Sequence, residues 1–254
     1  MSLDRVSELA EGLAADWWAR APYRKLDLAD LDEAYAVQRA LHQLLSVRRG
    51  AIAGRKIALS SKAMQQMVGI DSPVAGTFFE KDLIDSPATV DLSSFRHMGI
   101  EAELAFRLAR DVHPGEAREP FSDLIAEVRP AFELVEDKGV DYTAIDAQTL
   151  VADNAWCGGV VLGPAIPAWR DWDIANLTGT LSQSGHPDEA TNTGAADPWG
   201  SLAWVFEHAA SHGDVLRAGE FIITGSAVRT RFPALGDKLT YELHGLSSVS
   251  LSLT

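Results

Sequence analysis

Cysteine is almost absent. Cys157 is the only one in 254 residues, so no disulfide can form within the chain, and a reducing cytoplasm is the expected compartment. No apolar run approaches the roughly 20 residues that a membrane helix requires. The N-terminus has no basic stretch followed by an apolar core, so no signal peptide is expected. Basic residues are outnumbered, 22 Lys and Arg against 36 Asp and Glu, for a formal net charge of -14. That balance argues against nucleic acid, whose phosphates would be repelled. It leaves room for a small anionic substrate, because one bound cation and one lysine reverse the field locally. A glycine-rich phosphate loop is missing, which counts against nucleotide cofactors. Neither repeats nor low-complexity segments occur. The remainder is ordinary globular composition, 46% hydrophobic and 23% charged, in a chain long enough for one large domain or a small domain packed on a larger one.

The stretch Gly99 to Leu108 organises the rest. Read with period two, Ile100, Ala102, Leu104, Phe106 and Leu108 fall on one face, and Glu101, Glu103, Ala105 and Arg107 on the other. This is the pattern of a half-buried strand. Its two glutamates point the same way, roughly 7 Å apart at the usual rise of a strand. Carboxylates that close repel, and keeping both ionised needs a nearby cation, for which Mg²⁺ or Mn²⁺ suits oxygen ligands. Glu-x-Glu alone reads first as a solvated sheet face, because such spacing is common on exposed strands.

Elsewhere, Leu3, Val6, Leu9, Leu13 and Trp17 have helical spacing, closed by Pro22. A second helix is expected from Asp30, with Glu33 as capping-box partner and a buried stripe of Ala34, Val37, Leu41 and Leu44 before Gly50. Lys56–Ser60 reads as a short strand opened by Lys56, and Ser61–Met67 as a helical turn ending at Gly69. Residues 85–98 read as a connection. Phe121–Val128 reads as a helix broken by Pro130, and residues 131–136 as a strand beside the Glu101 strand. Short β runs follow at residues 160–162, 177–181, 220–224 and 238–253, interrupted by a helix over 199–210, with a polar hairpin or loop over 185–194. The organisation is α+β: an N-terminal α/β cap over residues 1–70 and a β-rich domain over 71–254, with one continuous domain as the alternative.

Several motifs together resemble one family. Gly54-Arg55-Lys56-Ile57-Ala58-Leu59-Ser60-Ser61-Lys62-Ala63 looks like the lysine-bearing motif of the 2-oxopent-4-enoate hydratase and 4-oxalocrotonate decarboxylase family. Gly69-Ile70-Asp71-Ser72-Pro73, Ile100–Glu103, Ala131-Phe132-Glu133, Val151–Ala155 and Leu216–Gly225 follow in the family's order. The resemblance implies membership of the fumarylacetoacetase-like superfamily, hence a mixed β-roll core with flanking helices and a small helical N-terminal cap. It also implies a metal-dependent lyase and a homo-oligomer, with complexes between related hydratases and decarboxylases a further expectation.

Carried over by position, Glu101, Glu103 and Glu133 become ligands of Mg²⁺ or Mn²⁺, with Glu136 and Asp137 as competing carboxylates near the third. Lys56 matches the active-site lysine, fit to neutralise a substrate carboxylate or carry a proton. Asp153 is a catalytic candidate, and the Asp153-Asn154 pair is also plain turn chemistry. Lys62, Thr224 and Gly225 are candidates for binding a 2-oxo acid substrate. His97 belongs to no family motif and reads as structural. Two departures bear on the reaction. Val74 stands where hydratases often carry an acid and decarboxylases an aliphatic residue, and Ala196-Asp197-Pro198 replaces a Gly-His-Pro. The expectation is hydration of a 2-hydroxy-2,4-dienoate. Alternatives are decarboxylation of a 2-oxo-3-enedioate, a non-catalytic partner subunit, and an acylpyruvate hydrolase. The last would need a base for water, typically a His-Glu pair, which residues 71–98 do not present by sequence.

Overall fold

A computed structural model describes residues 3–254. Two long helices come first, α1 (Leu3–Ala19) and α2 (Leu31–Arg49). The Asp30 side chain accepts from Glu33 N, while Glu33 Oε2 accepts from Ala29 N, one residue before the expected partner. Val6, Leu13, Ala34, Val37, Leu41 and Leu45 are buried between the helices; Leu45 takes the place expected for Leu44. The side chain of Leu3 lies outside the described residues.

The main sheet has seven strands: β1 (Ile52–Ala58), β2 (Val74–Phe79), β3 (Leu83–Asp85), β5 (Met98–Leu108), β6 (Ile125–Glu136), β7 (Cys157–Leu162) and β10 (Phe221–Ile223). Their order is β2-β1-β10-β5-β6-β7-β3. The second sheet takes β4 (Ala88–Val90), β8 (Thr178–Gln183), β9 (Glu189–Asn192), β11 (Lys238–Leu243) and β12 (Ser247–Leu253) in the order β4-β12-β11-β8-β9. Three shorter or later helices are α3 (Lys62–Met67), α4 (Ala147–Ala152) and α5 (Pro198–Ser211). This is the expected α+β roll. β1, within residues 1–70, pairs with both β2 and β10, so one sheet draws strands from both sides of residue 70.

Alternation on β5 decides what lies on each side. Ile100, Ala102, Leu104, Phe106 and Leu108 join the large core shared with the second sheet and α5. Ala105 turns the other way, into a small core with Phe78, Ala131, Cys157, Val160, Phe221 and Ile223. The seven-stranded sheet curls around this second core, bringing β2 against β7 and the turn before it. Gly76 makes that approach possible, since a Cβ there would lie 2.7 Å from the Asn154 carbonyl oxygen.

Residues 121–128 are not a helix. A single 3-10 turn over Phe121–Leu124 leads straight into β6. Register shifts where Arg107 pairs with Glu127 but Leu108 with Ile125. This bulge spends one extra residue, so Ile125 and Val128 both face inward three positions apart. Their spacing mimics a helix. Pro130 continues the strand: its carbonyl accepts from Gly163 N just past the last β7 pair, so its missing N–H falls where β7 has ended. Residues 85–98, read as a connection, contain β4, which pairs with β12. Among the described residues no helix is long and apolar enough to cross a membrane.

Candidate metal and substrate site

Glu101 and Glu133 are directly paired across β5 and β6, and Glu103 sits two residues along the same face. The curl brings one carboxylate oxygen from each of the three within 4.8 Å of the others. Glu103 and Glu133 are buried, whereas Glu101 keeps some exposure. Burial above all pushes the Glu133 carboxyl up to about 7, with Lys56 opposing and Glu101 adding to the rise. Glu103 is raised well above its ordinary range by burial and then by its two glutamate neighbours. Three acids gathered out of water favour either protons or a cation.

Each carboxylate is held by a different segment. Thr230 Oγ1 donates to Glu101 Oε1. Gly225 N donates to Glu103 Oε2 at 2.8 Å, from a backbone φ of 88° that suits glycine. Lys56 Nζ donates to Glu133 Oε1 at 2.5 Å. The second oxygens of the two buried acids, Glu103 Oε1 and Glu133 Oε2, have no hydrogen-bond partner among the described residues. Buried oxygens left bare are costly unless something binds them. Two bare carboxylate oxygens beside a third acid, each acid oriented by an outer partner, form a donor set that fits a hard divalent cation.

Lys56 lies in the middle of β1, not at its start, because the strand begins at Ile52. Burial pulls its ammonium toward the neutral form, and the Glu133 carboxylate outweighs that and holds it protonated. Its second acceptor is the Ala155 carbonyl at 2.9 Å. That carbonyl is aimed by a run of three left-handed residues, Asn154, Ala155 and Trp156, at φ of 58°, 47° and 58°. Asn154 secures the run: its side chain accepts from Thr77 N at 2.8 Å, donates to Thr77 O at 2.7 Å, and meets His42 Nε2 at 2.8 Å.

The other expected site residues are placed differently. Thr224 is buried at the strand end beside Glu103, and its hydroxyl donates to Leu104 O. Asp153 is held by Lys138 Nζ at 2.7 Å to both oxygens and by Trp17 Nε1 at 2.8 Å, which ties α1 to the turn; those bonds leave its neighbours Asn154 and Ala155, and not Asp153, to reach Lys56 and Thr77. Lys62 is exposed and donates to Gln65 Oε1 and Asp71 O, stitching the α3 loop. Val74 is fully buried in the core beneath α1 and α2. Asp197, of the departed Gly-His-Pro position, caps α5 by accepting from Gly200 N. Glu136 accepts from Arg96 N, His97 N and Lys138 N, so the competing carboxylate serves a turn.

His97, read as structural, is held by a buried hydrogen-bond cluster. Its Nδ1 lies 2.6 Å from Asp137 Oδ1, Asp137 is wholly buried, and Tyr142 Oη donates to the other Asp137 oxygen at 2.9 Å. No sequence signal joins residues 40 positions apart; only the pairing of β5 with β6 does, since Met98 faces Glu136.

The curled sheet that gathers three acids and a lysine has the fumarylacetoacetase-like fold. The same fold is seen in a protein of Yersinia pestis CO92 described as a fumarylacetoacetate hydrolase family member (TM-score 0.59, 17% identity, 82% of this chain and 95% of that one). No family model matches the chain. The chain is 31% identical to a 2-keto-4-pentenoate hydratase of Paraburkholderia xenovorans over 87% of its own length and 82% of the relative's. It is 28% identical to a 2-hydroxyhexa-2,4-dienoate hydratase of Comamonas testosteroni, over 88% and 86%. A solved structure of 4-oxalocrotonate decarboxylase from Pseudomonas putida G7, complexed with magnesium and adipate, superposes with a TM-score of 0.92 at 25% identity, covering 100% of this chain and 99% of that one. The chain belongs to the 2-keto-4-pentenoate hydratase family, a family of lyases.

Proposed function

We propose that this chain adds water to a 2-hydroxy-2,4-dienoate, through its 2-oxo-enoate form, to give a 4-hydroxy-2-oxo acid, with Mg²⁺ or Mn²⁺ held by Glu101, Glu103 and Glu133. The observation that carries the reading is the pair of bare buried oxygens, Glu103 Oε1 and Glu133 Oε2, inside a three-carboxylate cluster. A bound divalent ion supplies Lewis-acid stabilisation of the negative charge that gathers on the substrate's 2-oxo oxygen. Lys56 orients Glu133 and opposes its protonation, and with two acceptors already taken it retains one N–H to offer a substrate carboxylate. Thr230 and Gly225 fix the other two acids, so the cluster is prearranged rather than assembled on binding. Lys62, Thr224 and Asp153 act, on this reading, by shaping the surrounding loops.

The superposition on a 4-oxalocrotonate decarboxylase favours a second reading, loss of CO₂ from a 2-oxo-3-enedioate, which passes through the same charge on the 2-oxo oxygen. A cytoplasmic homo-oligomer is proposed from the family and from the single buried cysteine. The test is the decay of ultraviolet absorbance of 2-hydroxypenta-2,4-dienoate with the protein in Mg²⁺ and in excess EDTA. Decay abolished by EDTA supports hydration at the carboxylate site. Absence of decay together with Mg²⁺-dependent CO₂ release from the enedioate establishes the second reading instead.

A further inference from the structure

We propose that the cavity between α2, the β1–β2 pair and the end of α5 binds a small carboxylic acid with a flat apolar body. Binding there is independent of the reaction proposed above. The cavity holds about 430 Å³, within the roughly 300–1,000 Å³ usual for small-molecule sites. It is separate from the acid cluster, because β1 runs between them. Lys56 reaches Glu133 on one face of that strand, and its neighbour Arg55 lines the cavity on the other. His42 and Thr77, also on the cavity wall, both bond Asn154, so the cavity backs on the turn that carries Ala155.

Two arginines in the wall have donors to spare. Arg39 makes no hydrogen bond and no ion pair among the described residues. The Arg55 side chain is only 13% exposed, yet its guanidinium makes one long bond, Nη1 to Gly54 O at 3.4 Å. Glu220 Oε2 stands 3.6 Å away and offsets part of its charge without bonding it. A guanidinium drawn out of water with most of its five donors unfilled favours an oxyanion, which its planar fork can grip twice. Asp214 is the one acid on this wall among the described residues. Burial above all pushes the His42 and His208 rings down to about 4, so both are neutral near pH 7, and Arg55 and Arg39 add to each fall. The two guanidiniums therefore act on both imidazoles across the same space.

The remaining wall is flat and apolar. The Tyr35 ring lies 4.8 Å from that of His208 and 5.1 Å from that of His212, and the two imidazoles are 4.3 Å apart. Ile52, Val205 and Ala209 complete the lining. A bare phosphate would meet the arginines and leave this surface wet. A carboxylate carried on a planar body engages both, burying apolar area against the rings while its oxygens take the unfilled donors.

The experiment is calorimetric titration with benzoate in excess EDTA, so that no metal draws carboxylates to the acid cluster. Wild type, Arg39→Gln and Arg55→Gln are compared, with inorganic phosphate as a parallel arm. Wild type is expected to bind one benzoate with a Kd of about 1 mM or tighter, the scale open to so small a ligand. Each variant is expected to bind about 10-fold more weakly or worse, as for loss of a charged hydrogen bond, and phosphate at least about 10-fold more weakly than benzoate in wild type. Should the half-buried Arg55→Gln fail to fold, the exposed Arg39→Gln decides alone, with its melting temperature as the check on folding. No saturable binding by wild type overturns the proposal. Unchanged affinity in Arg39→Gln also overturns it, by placing benzoate elsewhere. Phosphate binding as tightly as benzoate overturns the flat carboxylic acid as the ligand class.

Discussion

Lys56 Nζ and Glu133 Oε1 meet at 2.5 Å across 77 positions of sequence, inside a sheet that has curled far enough to bring β1 over β6. Their strands are not neighbours in the sheet; β10 and β5 lie between them. The contact is thus a product of curvature. Both groups are buried, and each is the other's main electrostatic partner.

Removing one member of a buried ion pair strands the other charge, at a cost of about 3–5 kcal/mol. Lys56→Met is expected to lose that much in urea unfolding at neutral pH in EDTA, and to lose turnover of the dienoate. Unchanged stability in the metal-free variant would show that Glu133 does not depend on Lys56.

Glu103→Gln acts in the opposite direction. It removes a buried acid whose ionisation burial and its glutamate neighbours disfavour, so the metal-free variant is expected to melt at or above the wild-type temperature. The same change replaces a charged carboxylate ligand by a neutral amide. The rise in melting temperature that Mg²⁺ gives wild type, which grows with ligand concentration, is expected to vanish. A thermal-shift series in EDTA and in increasing Mg²⁺ reads both effects.

The pH dependence has a definite sign. The Glu133 carboxyl, at 4.5 ordinarily, is pushed up to about 7 by burial in the fold, so between those values the folded chain binds a proton that the unfolded chain has released. Glu103 is displaced the same way. Their contribution to stability is complete below pH 4.5 and is lost as pH rises through about 7. The urea midpoint in EDTA is therefore expected to fall between pH 5 and pH 7.5, and Mg²⁺ is expected to abolish that fall by replacing the proton.

Asn154 carries three side-chain hydrogen bonds and a φ of 58°. Asn154→Ala leaves Thr77 N, Thr77 O and His42 without partners and keeps an unfavourable left-handed residue, a loss of about 3 kcal/mol or more by the usual cost of unsatisfied buried groups. Asn154→Gly relieves only the backbone part and is expected to recover about 1 kcal/mol. Activity is expected to fall in both, because the Ala155 carbonyl that steadies Lys56 sits on the same turn. Chemical denaturation and dienoate turnover of the two variants check this.

Much of the site was legible in the sequence for a simple reason. Period two is local, so Glu101 and Glu103 on one face of β5, and Ile100 to Leu108 on the other, follow from side-chain order alone. The caps of α2 and α3 are equally local, since Asp30 and Ser61 bond backbone only three residues on. Where a bulge adds a residue, that logic breaks, and Ile125 and Val128 imitate a helix inside a strand.

Chemistry of the side chains in the sequence determined that this chain would make an α+β fold with paired acids on a strand, and its motif order placed it in a family. Which of the acids converge, what holds each one, and that Asp153 serves a latch with Lys138 and Trp17 were decided by tertiary structure. So was the pairing of His97 with Asp137. The reason is physical: local patterns set the face a side chain occupies, while the curl of a seven-stranded sheet sets its distance to residues dozens of positions away.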